Sequence, residues 1–166
     1  MELRNGTKQK ITPCLWLKDN AEEVVNFYLS VFKDAQILKV SYYGEYGTLA
    51  TGMPPGHVLT ILFELNGTLF TALNGGVYYP FTPNISFMVN CDTQEEIDHY
   101  WKSLSAGGTT EQCGWLKDKF GISWQIIPTE LDVWMSDKKT GNLVMEAILK
   151  MTKLDIPTLK NAFENK

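Results

Sequence analysis

The side chains with the most chemical reach in this chain are few and widely spaced. It has two histidines, His57 and His99, and three cysteines, Cys14, Cys91 and Cys113. A thiolate nucleophile needs a base or a cation beside it to lower its pKa. Lys117 and Lys119 are near Cys113 in sequence, but no histidine is. The competing reading of Cys113 is a buried, weakly polar packing residue, and it applies more strongly to Cys14 and Cys91. His57 ends a Gly- and Pro-rich stretch just before an apolar run, which makes it the candidate imidazole base. The bland reading is a solvated loop residue. The cysteine spacings fit no zinc ribbon and no C-x-x-C pair.

These residues must be positioned by two similar modules. Residues 11–17 read as a strand. Asn20 then starts a helix, with Glu23 three positions on in the manner of a capping box. Val24, Phe27, Tyr28 and Val31 give that helix one apolar face. Residues 84–90 read as another strand, and Thr93 with Glu96 open a second helix. Its face is Ile97, Tyr100, Trp101 and Leu104, and Gly107-Gly108 ends it. The two helices superimpose at an offset of about 73 residues in cap and aromatic face, which predicts an internal repeat. His99 lies off the apolar stripe and is expected in water.

After the first helix, strands are predicted at 37–43, 58–65 and 68–73, the last two joined by the hairpin signal Asn66-Gly67. The intervening stretch 44–56 reads as a long surface loop. After the second helix one strand is clear, 121–127, stopped by Pro128. A fourth is hard to find, and helical patterns follow at 132–135 and 143–151. Asp155 caps a last helix that carries Pro157 in its first turn. The expected architecture is a single α+β domain. Module one spans about 10–76, a truncated module two spans about 83–128, and a C-terminal helical segment occupies about 129–166. Each sheet carries its helix on one face. The other faces are expected to curve around a shared cleft, the natural ligand site.

Strand parity sorts the side chains. Leu15, Leu17, Phe87, Val89, Ile122, Trp124 and Ile126 are expected to face helices. Thr12, Cys14, Trp16, Asn84, Ser86, Met88, Ser123, Gln125 and Ile127 are expected to face the cleft. Trp16 suits stacking on a planar or apolar ligand, unless it is a core or interface residue. Gln125 offers one acceptor and two donors for gripping a ligand oxygen, or is a satisfied buried amide. Ser86 is expected to line the same cleft. Asn74, before Gly75-Gly76, either points into the cleft or accommodates a left-handed turn. Asp118 reads as an Asx-turn residue.

Composition excludes some classes. Formal net charge is −4 and the Lys and Arg residues form no basic run, which argues against nucleic acid as a partner. No apolar run is long enough for a membrane span, and the N-terminus shows no signal-peptide pattern. Reduced thiols in the cytoplasm are the expectation.

Several stretches resemble a known family: Ile11-Thr12-Pro13-x-Leu15-Trp16, Ala21-Glu22-Glu23 with Phe27-Tyr28, Ser86-Phe87 through Cys91-Asp92, Glu96-x-Asp98-x-x-Trp101, and Cys113-Gly114-Trp115 through Trp124-Gln125. The chain is similar, over about residues 10–165, to the PhnB-like branch of the vicinal-oxygen-chelate (glyoxalase/bleomycin-resistance) superfamily. That branch is also labelled 3-demethylubiquinone-9 3-methyltransferase-like. The resemblance implies paired βαβββ modules and a homodimer. It also implies that a metal, where a member holds one, is bound by the first and last strands of each module. By strand register those places fall near Thr12, Phe70, Asn84 and Gln125. None is His, Asp or Glu, so neither a metal nor another cofactor is expected. No Gly-rich turn of a nucleotide-binding fold is present to support the methyltransferase label. The reading that follows is a small-molecule binding protein with a non-metal cleft. Its site residues would be Trp16, Gln125, Ser86, Asn74, Cys14, His57 and Cys113. The alternative is an enzyme of the glyoxalase or dioxygenase type, or a methyltransferase as the label suggests.

Overall fold

The computed structural model of the protein describes residues 9–164. The chain divides at Pro80/Phe81 into two units. The first holds β1 (Cys14–Leu17), α1 (Ala21–Val31), β2 (Ala35–Tyr42), α2 (Glu45–Thr51), β3 (Val58–Leu65) and β4 (Thr68–Asn74). Its sheet has the order β1-β4-β3-β2, with β1 parallel to β4 and the other pairs antiparallel.

The alternation of β1 sends Leu15 and Leu17 inward and leaves Cys14 and Trp16 on the opposite face, as parity predicts. Val24, Val25, Tyr28 and Val31 form the buried stripe of α1. The stripe meets a sheet face that includes Phe63, whose ring lies 6.4 Å from that of Tyr28. Burying one such aromatic is worth roughly 2–3 kcal/mol. Asn66 and Gly67 both have positive φ, 44° and 79°, the pattern of a two-residue I′ hairpin turn.

Two local expectations fail. Asn20 makes no side-chain capping bond to α1. Instead Asn74 Oδ1, at the end of β4, accepts the Ala21 N–H at 2.9 Å. The stretch expected to be a loop contains α2. Its glycines act as helix boundaries: Gly44 is the extended residue before the helix, and Gly52, at φ 75°, donates its N–H to Thr48 O at 2.8 Å.

The second unit repeats the topology with β5 (Ser86–Cys91), α3 (Gln94–Leu104), β6 (Thr109–Thr110), β7 (Trp115–Lys117) and β8 (Ser123–Pro128), ordered β5-β8-β7-β6. The predicted internal repeat is therefore present strand for strand. The expected shortening falls on β6 and β7, of two and three residues, rather than on a missing strand. Strands this short are below the length at which alternation can be read. Thr93 caps α3 by accepting the Glu96 N–H at 3.3 Å, and the Glu96 carboxylate accepts from Asp92 N–H at 2.7 Å.

The helices α4 (Leu131–Met135), α5 (Lys138–Ile148) and α6 (Ile156–Glu164) complete this unit. Asp137 caps α5 at Lys139 and Thr140, and Asp155 accepts the Thr158 N–H at 2.9 Å. Trp134, Val144, Ile148, Leu154 and Leu159 form their core, which also takes in Ile127 of β8 and the half-buried Cys113. Gln94 ties this segment to the start of α3, accepting from Ile156 N–H at 2.7 Å and donating to Leu154 O at 3.2 Å. Ile127, expected on an open cleft face, is thus covered by helices of its own unit.

Candidate functional site

In the first unit a hollow of about 490 Å³ opens beside Trp16. Its floor comes from the sheet: Trp16 of β1, Leu73 of β4, the following Gly75, and Leu59 of β3. Leu59 is the extra residue of a bulge, since β2 steps from Ser41 to Tyr42 while β3 steps from Thr60 to Val58. The remaining wall is Tyr43 and α2, through Tyr46, Gly47, Ala50 and Thr51. Among the described residues no charged side chain lines it.

The floor is firmly built. Trp16 is 40% exposed, and its Nε1–H donates to Val77 O at 2.8 Å. The Tyr79 ring meets it edge-on at 5.7 Å. The buried Tyr43 donates its hydroxyl to the Asn74 carbonyl. The arrangement offers an indole face and aliphatic contacts, with the indole N–H already engaged.

The other expected site residues have varied surroundings. Asn74 is fully buried. Its amide accepts from Ala21 and donates to Val58 O at 2.9 Å and Glu22 Oε2 at 3.4 Å. Neither the cleft-pointing nor the left-handed expectation for Asn74 holds, because its amide is spent on joining α1 to the sheet. Gln125 and Ser86 do come together, with Nε2 donating to Oγ at 2.9 Å on one face of the second sheet. Ser123, a neighbour on that face, is 1% exposed, and its Oγ has no partner among the described residues. His57 is pinned by its backbone, accepting from Tyr43 N–H and donating to Pro54 O, and is not among the residues lining the hollow. Its Nε2 is buried without a partner among the described residues.

Cys14 is exposed on β1, with its thiol pKa raised by partial burial. Cys113 sits at φ 62° with its N–H donated to Met151 O, packed against the C-terminal helices. Burial, with Glu96 and Asp92 adding repulsion, pushes the Cys91 thiol up to about 12. A thiol so raised is a poor nucleophile. Asp118 fills the Asx-turn role: it is 2% exposed and accepts from Phe120 and Ile122 N–H and from Trp124 Nε1–H.

The sequence pattern alone does not predict Tyr43, Tyr46, Leu59 and Leu73 as site residues. The available signal is the pair of tyrosines, Tyr43 and Tyr46, on either side of Gly44-Glu45.

The donor set does not fit a metal. Phe70 faces the helix side, its ring 5.5 Å from Phe63, so Thr71 takes the adjacent place on the other face. Thr12, Thr71, Asn84 and Gln125 carry no carboxylate or imidazole. Among the described residues no group of three or more His, Cys, Asp or Glu is placed to hold an ion.

Comparison with known proteins agrees with the topology. The family described as 3-demethylubiquinone-9 3-methyltransferase matches residues 9–127. A PhnB protein from Bacillus cereus, named for the same methyltransferase, is 36% identical over 72% of this chain and 99% of its own, with a TM-score of 0.64. A Pseudomonas aeruginosa protein shares the fold at 16% identity, covering 72% of this chain and 96% of its own, with a TM-score of 0.57. The fosfomycin resistance protein FosX from Listeria monocytogenes is 16% identical over 73% of this chain and 91% of its own, with a TM-score of 0.49. No functionally curated protein matches. The twin βαβββ units, the matched stretch and the Bacillus relative together place this chain in the PhnB-like 3-demethylubiquinone-9 3-methyltransferase family of the vicinal-oxygen-chelate superfamily.

Proposed function

We propose that this protein binds a small, neutral, largely apolar compound, preferably aromatic, in the hollow beside Trp16. The observation that carries this reading is a half-exposed indole, fixed by its own hydrogen bond, above a hollow with no charged lining. Such a surface recognises flat apolar rings by stacking and desolvation. The volume suits a small-molecule site.

The test uses N-phenyl-1-naphthylamine, a neutral fluorescent probe of apolar sites. Saturable one-to-one binding is expected, weakened about fivefold or more in Trp16→Ala. Binding unaffected by that substitution refutes the reading. Gln125 and Ser86, hydrogen-bonded to each other on the second sheet, are proposed as a polar ligand contact of the second unit by itself.

The rival reading is an enzyme, raised by the family's name. Calorimetric titration with S-adenosylmethionine, and separately with a divalent cation, distinguishes the two. Stoichiometric heat from either favours the enzyme. The homodimer implied by the resemblance also belongs here, supported by the exposed Ile37, Leu38 and Tyr42 on the edge strand β2. Analytical ultracentrifugation tests it. Free thiols at Cys14, Cys91 and Cys113 support a reducing compartment such as the cytoplasm. No helix among the described residues is long and apolar enough to cross a membrane.

A further inference from the structure

The two sides of the hollow differ in how they are held. Sheet hydrogen bonds and the Trp16–Val77 bond fix the floor. Across it, α2 buries none of its seven residues, and Tyr46 and Leu49 are 89% and 86% exposed. Its side-chain hydrogen bonds stay local, from Thr48 to Gly44 O and from Thr51 to Gly47 O. Glycines flank it: a Cβ at Gly44 would meet nothing within 4 Å, and Gly52 has positive φ with open space around it. Two close approaches seat it. A Cβ at Gly47 would stand 2.7 Å from the Tyr43 ring, and one at Gly76 would stand 2.7 Å from Thr51 O.

We infer that α2 is a lid, hinged at Gly44 and Gly52 and seated by Gly47 on Tyr43, that opens to admit ligand to the hollow. This rests on the binding reading above. Segments with little buried surface occupy the low end of local stability, and that is where gating elements are found. Small hinge residues absorb the backbone change that such a motion needs.

Hydrogen exchange of the full chain tests the lid without any ligand. Residues 44–52 should exchange at least a hundredfold faster than β3 and β4. Equal protection overturns the lid and leaves the hollow reading standing. N-phenyl-1-naphthylamine should then slow exchange across 44–52. Fast exchange that the bound probe does not alter overturns the gating. Stopped-flow mixing gives a second measure. Gly47→Ala, which wedges the helix off Tyr43 while favouring helical backbone, should raise the probe's association rate severalfold. Gly44→Ala, which stiffens the hinge in open space, should slow association and dissociation together. Unchanged rates in both variants refute the lid. A probe that Trp16→Ala does not weaken refutes the hollow as its site, and the gating falls with it.

Discussion

The Trp16 indole leaves no room for a side chain at Gly75: a Cβ there would overlap its Cε2 and Cζ2 atoms. Gly75 in turn donates its N–H to Leu17 O at 2.8 Å, which fixes the backbone against the ring. Gly75→Ala should therefore tilt Trp16 out of its seat and cost about 1–3 kcal/mol by overpacking. Urea unfolding followed by tryptophan emission measures both effects, and a native-like stability and spectrum would contradict this.

Asn74 joins helix to sheet through three amide contacts. Removing that amide strips α1 of the acceptor at its first N–H and leaves Val58 O without its side-chain donor. Asn74→Ala should lose about 2–3 kcal/mol, combining a lost cap with a buried group left unmet. Asn20→Ala, which removes no cap bond, should change stability by less than about 0.5 kcal/mol. Comparable losses in the two variants would be the wrong result.

Asp118 and Ser123 offer a contrast within one turn and the strand it leads into. Asp118→Asn would place an NH₂ where the carboxylate accepts N–H groups, and a loss of about 2–3 kcal/mol is expected. Thermal and denaturant melts should agree on the sign.

Ser123 carries a buried hydroxyl with no partner among the described residues. Ser123→Ala removes a polar group that burial penalises, so stability should hold or rise by up to about 1 kcal/mol. A marked loss would show that the hydroxyl has an important partner.

The raised Cys91 thiol makes a pH prediction. Its folded pKa, about 12, exceeds the ordinary thiol value of 9.0. Between these values the unfolded chain has released a proton that the folded chain retains, so stability falls as pH rises through that window. Below about pH 8 the group contributes no slope. Wild type should lose stability more steeply than Cys91→Ala between pH 9 and 11, and parallel curves would contradict the assignment. Alkylation of Cys91 in the folded protein at pH 8 should be far slower than that of the exposed Cys14.

Much of the fold was legible because the relevant signals are local. The helical stripes at Val24–Tyr28 and Ile97–Tyr100, the Asn66-Gly67 turn and the alternation of β1 depend on near neighbours in the chain. What could not be read depends on distant partners. Nothing around Asn20 indicates that its helix takes a cap from Asn74, 54 positions on. Glycines at 44 and 52 signal a break in either a loop or a short helix, and only the packing of Gly47 on Tyr43 decides between them. The site was legible in part for the same reason. Trp16, Gln125 and Ser86 could each be assigned a face by parity. Leu59 reaches the hollow through a bulge that alternation does not foresee. Ile127 had the right parity, but the helices that cover it come from beyond residue 128.

The matched family stretch stops at residue 127, while Ile127 and Cys113 are packed among side chains drawn from residues 131–163. The tail is therefore bound into the economy of the second unit rather than appended to it. A shortened gene ending at that boundary would leave an oily scar on β8 and a stranded backbone at Cys113 and Gly114, whose N–H groups donate to Met151 and Thr152. Any transplant of this unit into another protein has to carry its last three helices along.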